Sequence, residues 1–419
     1  MFAQPEAQQE PAAPPTQRGE ARVLWPVREQ LQWVPRDLET AVPQDHPVRV
    51  IWGLLEGLDL SAFYGSIKAV LDRPGRPTTD PQVLLGLWLL ATVEGVGSAR
   101  RLARLCQEHD AYRWMCGGVP INYHMLADFR VAHHGALDDL LTQIVASLMA
   151  AGAVTLERVA QDGMRVRASA GASSFRRRER LEKCLEEARV QVARLARERE
   201  ERGEQALELL PQAKAAKERQ ERTLATPKKA KVTQPRVSTT DPEARVMKMP
   251  DGGFRPAFNV ELATDKDSGV IVGVAVTGEG TDAGQAPPME EQIVRRTGRH
   301  PKDYLMDGGF AIRKDITTLE QRGVTVCAPV RLPRNKPQEE RYQPRYGDSR
   351  EVVLWRERMA TEEAKVVYRQ RGATAEWANA QVRQHGVSQF TVRGAAKVTT
   401  VMLLVAVAHN LLRWVALAT

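Results

Sequence analysis

Residues 158–168, RVAQDGMRVRA, decide how this chain folds. Apolar and polar positions alternate through them, the period of a strand with one buried face. Within them Asp162 follows a short apolar run and precedes Gly163. Residues 303–310, DYLMDGGF, repeat the arrangement, with Asp307 ahead of two glycines. Further strand-like runs are RPAFNVELATD (255–265), GVIVGVAVTG (269–278) and VTVCAPV (324–330). The first two of these read as a hairpin around the turn signal Asp265–Gly269, and turn chemistry accounts for Asp265 and Asp267. Helix-period segments follow at Met289–Arg296 and Ile312–Gln321. Strands and helices in this order predict an α/β fold, a mixed sheet with helices on both faces. Asp162 and Asp307 are each expected to end a strand, at the sheet edge where ligand crevices form. The glycine after each allows close approach of a backbone or ligand. Either aspartate alone reads better as an Asp-Gly turn, and it is the two matched sites on one sheet that favour a functional pair.

Outward from that core, five regions are expected. Residues 1–44 are an extended tail, disordered over 1–22, where Pro, Gln and Ala dominate. Residues 45–151 are all-helical. Asp80 is placed to cap a helix with Pro81 at its first position, and Ser98 caps ARRLARLCQEHD. In that second helix Leu102, Leu105 and Cys106 share one face, while Arg100, Arg101 and Arg104 lie on the polar side. The pattern suits a DNA-binding and assembly domain, and equally a helical bundle with a solvated basic face. Residues 152–174 carry the first core strand. Residues 175–235 form a charged, helical, coiled-coil-like insertion and a basic linker. Its seam runs through Leu181, Leu185, Ala188, Val192 and Leu195, interrupted at Gly203 and Pro211 as in a helical hairpin. A separate dimerisation arm is the alternative for this segment. Residues 236–419 complete the core. There Thr361 caps a helix ending before Gly372, Thr374 caps another ending before Gly386, and Lys397–Ala418 forms the last helix.

The chain has 419 residues, 42% of them hydrophobic, so it is long enough for a sizeable core. Its formal charge of +8 favours a polyanionic partner such as nucleic acid. Cys106, Cys116, Cys184 and Cys327 show no CxxC pairing, which argues against a disulfide framework or a zinc site. No apolar leader opens the sequence, and Val401–Ala408 is a short apolar run broken by His409 and Asn410. A soluble cytoplasmic protein is therefore expected.

Phosphodiester cleavage by paired magnesium ions needs several carboxylates at one spot, because hard cations take oxygen ligands. Asp162 and Asp307 are two candidates. Glu376, two residues after the proposed cap Thr374, is the third, since a helix N-terminus keeps a carboxylate ionised. From the residues alone it stands no higher than Glu362 or Glu363. Arg383 lies one heptad beyond it, and Tyr368 and Arg371 lie just before, which suits phosphate binding.

The stretches RWMCGGVPINYHMLADFR, VAQDGMRVRASAGASSFRR, VSTTDPEARVMKMPDGGFRPAFNVELATD, YLMDGGFA, YRQRGATAEWANAQVRQHG and VAVAHNLLRW run in order from about residue 45. Together they resemble bacterial insertion-sequence transposases of the aspartate-aspartate-glutamate class, in the group with a tyrosine-arginine-glutamate-lysine signature. The resemblance implies a ribonuclease H-like core with Asp162, Asp307 and Glu376 as the catalytic, metal-holding triad. Tyr368, Arg371 and Glu376 would fill the signature's first three places. Four residues separate Arg371 from Glu376 where the usual pattern has three, and Arg383 replaces the lysine. It further implies two Mg²⁺ ions (with Mn²⁺ as a substitute), and double-stranded DNA, both terminal inverted repeats and target, as partner. A homodimer on DNA, associated with the nucleoid, is also implied. The element's ends would be cut and their 3′ ends joined to target. The alternatives are a regulator that binds DNA without catalysis, a nuclease of the same fold that does not join strands, and a coiled-coil assembly protein.

Overall fold

In a computed structural model, the described residues are 36–65, 67, 77–202, 236–332 and 337–418, the side chains of 178 and 195–202 excepted. The disordered tail over 1–22, the interruptions at Gly203 and Pro211, Leu195 of the seam and most of the basic linker fall outside them. The strands are β1 (Arg158–Arg167), β2 (Phe175–Arg176), β3 (Val237–Ser238), β4 (Arg245–Lys248), β5 (Phe254–Asp265), β6 (Ile271–Thr277), β7 (Asp303–Leu305) and β8 (Thr325–Cys327). Six of them form one mixed sheet in the order β4-β5-β1-β7-β8, with β6 also on β5. β1 pairs antiparallel with β5 and parallel with β7, and β7 pairs parallel with β8. The fold is thus mixed α/β.

Strand alternation sends opposite side chains to opposite faces. Gly163 lies directly across from Glu261, and Gln161 from Ala263, so these four share a face. Helix Ala286–Thr297 packs there, with Met289 against Gly273 and Ala263. On the other face Ala160, Leu305 and Cys327 form a small cluster with Val367 of helix Glu362–Gln384. Helices therefore cover both faces, as expected.

The segment inserted after β1 leaves and returns through a two-stranded ribbon, Phe175 opposite Ser238 and Arg176 opposite Val237. Helix Arg178–Arg202 rises from it. Leu181 and Leu185 are buried, whereas Ala188 and Val192 are half-exposed, so the seam is covered only near its base.

In the helical region before β1, Asp80 accepts from the Gln82 amide at 2.8 Å and Asn122 from the Met125 amide at 2.9 Å, each closing a helix start. Helix Pro81–Val93 is buried on nearly every side, as a helix apolar all round must be. Cys106 and Cys116, ten residues apart, line one surface cleft, and both are free.

Helix Ala395–Ala418 is, among the described residues, the one long and apolar enough by composition to cross a membrane. It agrees with the expected last helix, Lys397–Ala418, and starts two residues earlier; His409 and Asn410 lie within it. Every residue from Met402 to Leu411 is buried, packed among helices Pro81–Val93 and His134–Ala150 and strand β6.

Polar side chains close the outer edge of β6. Asn410 accepts from the Ile271 amide and donates to the Ile271 carbonyl, both at 2.8 Å. Gln292 does the same for Val274, at 2.6 and 2.9 Å. Arg296 donates to the Val272 carbonyl at 3.1 Å and reaches on to Asp138 and Thr142 of helix His134–Ala150. Unpaired backbone groups there would be a liability in a buried edge. Asn410→Leu removes two of these bonds at a fully buried position and is expected to cost about 2–4 kcal/mol. Urea denaturation measures it; an unchanged midpoint would mean that another group pairs Ile271.

Candidate active site

The parallel ladder between β1 and β7 stops at Ala160 opposite Leu305. Asp162 lies two residues beyond one, Asp307 two beyond the other, so the two aspartates come level where the ladder has ended. Asp162 was expected to end its strand, and it does not. It stands in the middle of β1, because β5 continues to pair with that strand as far as Arg167. Asp307 lies past the end of β7, accepting from the Gly309 amide in a short turn.

Asp162 faces helix Glu362–Gln384. Arg371 donates to its Oδ1 at 2.7 Å and Asn379, two turns on, to its Oδ2 at 2.9 Å. Burial nevertheless pushes the Asp162 carboxyl above its usual pKa; Arg371 opposes this shift, and Asp307 adds to it. Tyr368, half-buried one turn before Arg371, has its hydroxyl pKa raised by burial and, against Arg371, by Asp307 and Asp162. Tyr368 and Arg371 thus stand beside both aspartates. Arg371, expected to hold phosphate, is ion-paired to Asp162 here.

Glu376 is exposed, and with Asp162, Asn379 and Arg383 it lines an open cleft of about 540 Å³. Its expected place in a first helical turn is corrected. Glu362–Gln384 is one continuous helix capped by Thr361, and Thr374 is an interior residue bonded to the Gln370 carbonyl. Ala364, Thr374, Ala375, Ala378 and Val382 form a buried stripe along the helix. Such tertiary burial outweighs the roughly 1 kcal/mol that Gly372 costs a helix. Glu376 is therefore mid-helix, without support from a helix dipole.

Four polar residues that sequence reading passed over lie on the opposite face, around Gly163. Asn259 donates to Glu261 at 2.7 Å and to Asp282 at 3.0 Å. Gln161 donates to Glu261 at 3.1 Å and accepts from Tyr304 at 2.7 Å. The signal was present: Asn259 and Glu261 are polar residues two apart in the otherwise apolar FNVELA. Burial raises the Glu261 carboxyl to about 8, Gln161 partly offsetting it and Asp282, Asp162 and Asp307 adding to it.

The donors around the two aspartates are carboxylate and amide oxygens, with no thiolate or imidazole among them, which suits a hard divalent cation. The buried Oδ1 atoms of Asn259 and Asn379 lack hydrogen-bond partners, as oxygens awaiting a cation or donor would. Among the described residues, however, no three Asp, Glu, His or Cys side chains are gathered closely enough to hold a metal. Asp162 is taken up by Arg371 and Asn379, and Glu376 points to the open cleft.

Residues 36–132 match the family described as Transposase domain, and residues 226–411 the family described as Transposase DDE domain. The chain belongs to the insertion-sequence transposases of the DDE class. No curated protein and no solved structure matches it. The family is one of nucleic-acid-cleaving enzymes. Within this transposase, Asp307, Tyr368, Arg371, Glu376 and Arg383 lie in the second matched stretch, and the exposed Arg100, Arg101 and Arg104 in the first. Asp162 lies between the two, so its role is argued from its place beside Asp307.

The raised Glu261 pKa has a consequence for stability. Folding favours the protonated form, so this contribution is complete below the ordinary value of 4.5 and is lost as pH rises towards about 8. With a chelator present, the wild-type Tm is expected to fall across that window and Glu261→Gln to flatten the fall. Parallel Tm curves for the two proteins would contradict the assignment.

Proposed function

We propose that this transposase cuts DNA at the ends of its mobile element and joins the freed 3′ ends to target DNA, using Asp162, Asp307 and Glu376. The observation that carries this is the level placement of Asp162 and Asp307, beside a helix that presents Arg371, Tyr368, Glu376 and Arg383. The proposed core is ribonuclease H-like, with 45–151 as a DNA-binding and assembly domain and 175–235 as an insertion. Asp162, Asp307 and Glu376 would together hold two divalent cations, Mg²⁺ by preference and Mn²⁺ in its place. Such cations polarise a phosphodiester and lower the pKa of the attacking oxygen.

The chain's own residues supply position and charge. The open cleft beside Asp162 admits a strand, and Arg383 on its wall is placed to hold a phosphate as a planar fork. Arg371 neutralises Asp162 in the free protein, and its guanidinium would serve a DNA phosphate in the cleft. Tyr368 supports Arg371. Arg100, Arg101 and Arg104, exposed along one helix, offer phosphate contacts whose strength falls steeply with salt. Two copies would bridge two element ends, in the cytoplasm and on the nucleoid.

Purified protein, Mg²⁺ and a duplex carrying the flanking inverted repeat test this. Wild type is expected to nick and then join. Asp162→Asn and Asp307→Asn should lower the rate at least ~10³-fold while retaining DNA binding. Nicking that persists in either variant would refute the site; cleavage without joined products would refute strand transfer.

A further inference from the structure

We propose that Asp282, together with Asp307 and the amide oxygen of Asn259, forms an additional divalent-cation position on the sheet face opposite Arg371. The proposal rests on the reading of Asp307 as a metal-holding residue.

The geometry comes from the two glycines that follow the aspartates. A Cβ on Gly309 would lie 2.7 Å from both Asp282 Oδ2 and Asp307 Oδ1, so the two carboxylates flank one point. A Cβ on Gly163 would lie 2.7 Å from Glu261 Oε1 and 3.0 Å from each of Asn259 Oδ1 and Asp282 Oδ1. Asp282 is common to the two points: one of its oxygens faces Asp307 across the first, and the other stands beside Asn259 and Glu261 at the second.

Asn259 gives the independent sign of a ligand. It is fully buried, its Nδ2 is committed to Glu261 and Asp282, and its Oδ1 has no partner although it faces the Gly163 point beside Asp282. A buried carbonyl oxygen is seldom left so unless a cation or donor belongs beside it. Charge points the same way. Arg371 compensates Asp162 from the other face, but among the described residues no Lys or Arg ion-pairs with Glu261, Asp282 or Asp307. The loop bearing Asp282 is also held in place, since the buried Asp315 accepts from the Gly284 amide at 2.7 Å. An all-oxygen donor set with excess negative charge suits Mg²⁺ or Mn²⁺. A cation there would neutralise the acids and fix the orientation of Asp307.

The test is Mn²⁺ binding by the full chain without DNA, read from the electron paramagnetic resonance of free Mn²⁺, with Tm measured in chelator and in Mn²⁺. Asp282→Asn is expected to weaken binding of one Mn²⁺ by about tenfold or more. It should also raise Tm in chelator, by relieving repulsion, and reduce the Mn²⁺-induced rise. A merely structural role would lower Tm in chelator instead. If Asp282→Asn does not fold by circular dichroism, Asp282→Ser is read in the same way. Wild-type Mn²⁺ binding by the Asp282 variant, with Asp307→Asn weakened, would overturn this inference alone. Wild-type binding by Asp282, Asp307 and Asp162 variants alike would overturn the reading of the active site as well.

Discussion

A parallel ladder only three residues long, between β1 and β7, sets Asp162 and Asp307 level with each other. Because it ends at Ala160 and Leu305, Asp162 and Asp307 lie just beyond its last paired residues, and no ladder bond joins β1 to the chain beyond β7. The price is electrostatic: like charges about 4 Å apart repel by roughly 4 kcal/mol at the effective dielectric of a partly buried site. Amide donors and one guanidinium offset this. Asn379 and Arg371 serve Asp162 from one face, while Asn259 and Gln161 serve Glu261 and Asp282 from the other.

Such a centre needs a rigid frame, and the frame is built where no chemistry occurs. Asn410, Gln292 and Arg296 pair the outer backbone groups of β6, and Arg296 carries the connection on to the N-terminal helices. His409, next to Asn410, bonds the Gly269 carbonyl at 2.9 Å in the hairpin turn. The burial that makes Ala395–Ala418 so apolar is the same burial that fixes the strand beside β5, and through β5 the register of β1.

Much of this was legible in the sequence because it is periodic or local. Alternation in RVAQDGMRVRA and FNVELA placed the central strands, and Asp80, Ser98 and Thr361 marked helix starts through their side-chain caps. The likeness of the two Asp-Gly sites pointed to Asp162 and Asp307 before their common level was seen. Other features depended on tertiary contacts. Thr374 looked like a cap beside Gly372, yet burial along a whole helical face carried the helix through both. Arg371 looked like a phosphate ligand, and only the register of β1 shows that Asp162 is its partner in the free protein. Asp282 sits in a glycine-rich loop with no local pattern, so nothing short of the folded sheet brings it to Asp307.

We propose that Asp162 and Asp307 share a divalent cation just beyond the ladder that joins their strands. Crystals of the full chain grown with Mn²⁺, with diffraction recorded at the manganese absorption edge, test it most directly. An anomalous peak between the two carboxylates, with Arg371 withdrawn from Asp162, is the expected result. A manganese-bound crystal with Asp162 still paired to Arg371 and no peak beside Asp307 would contradict it.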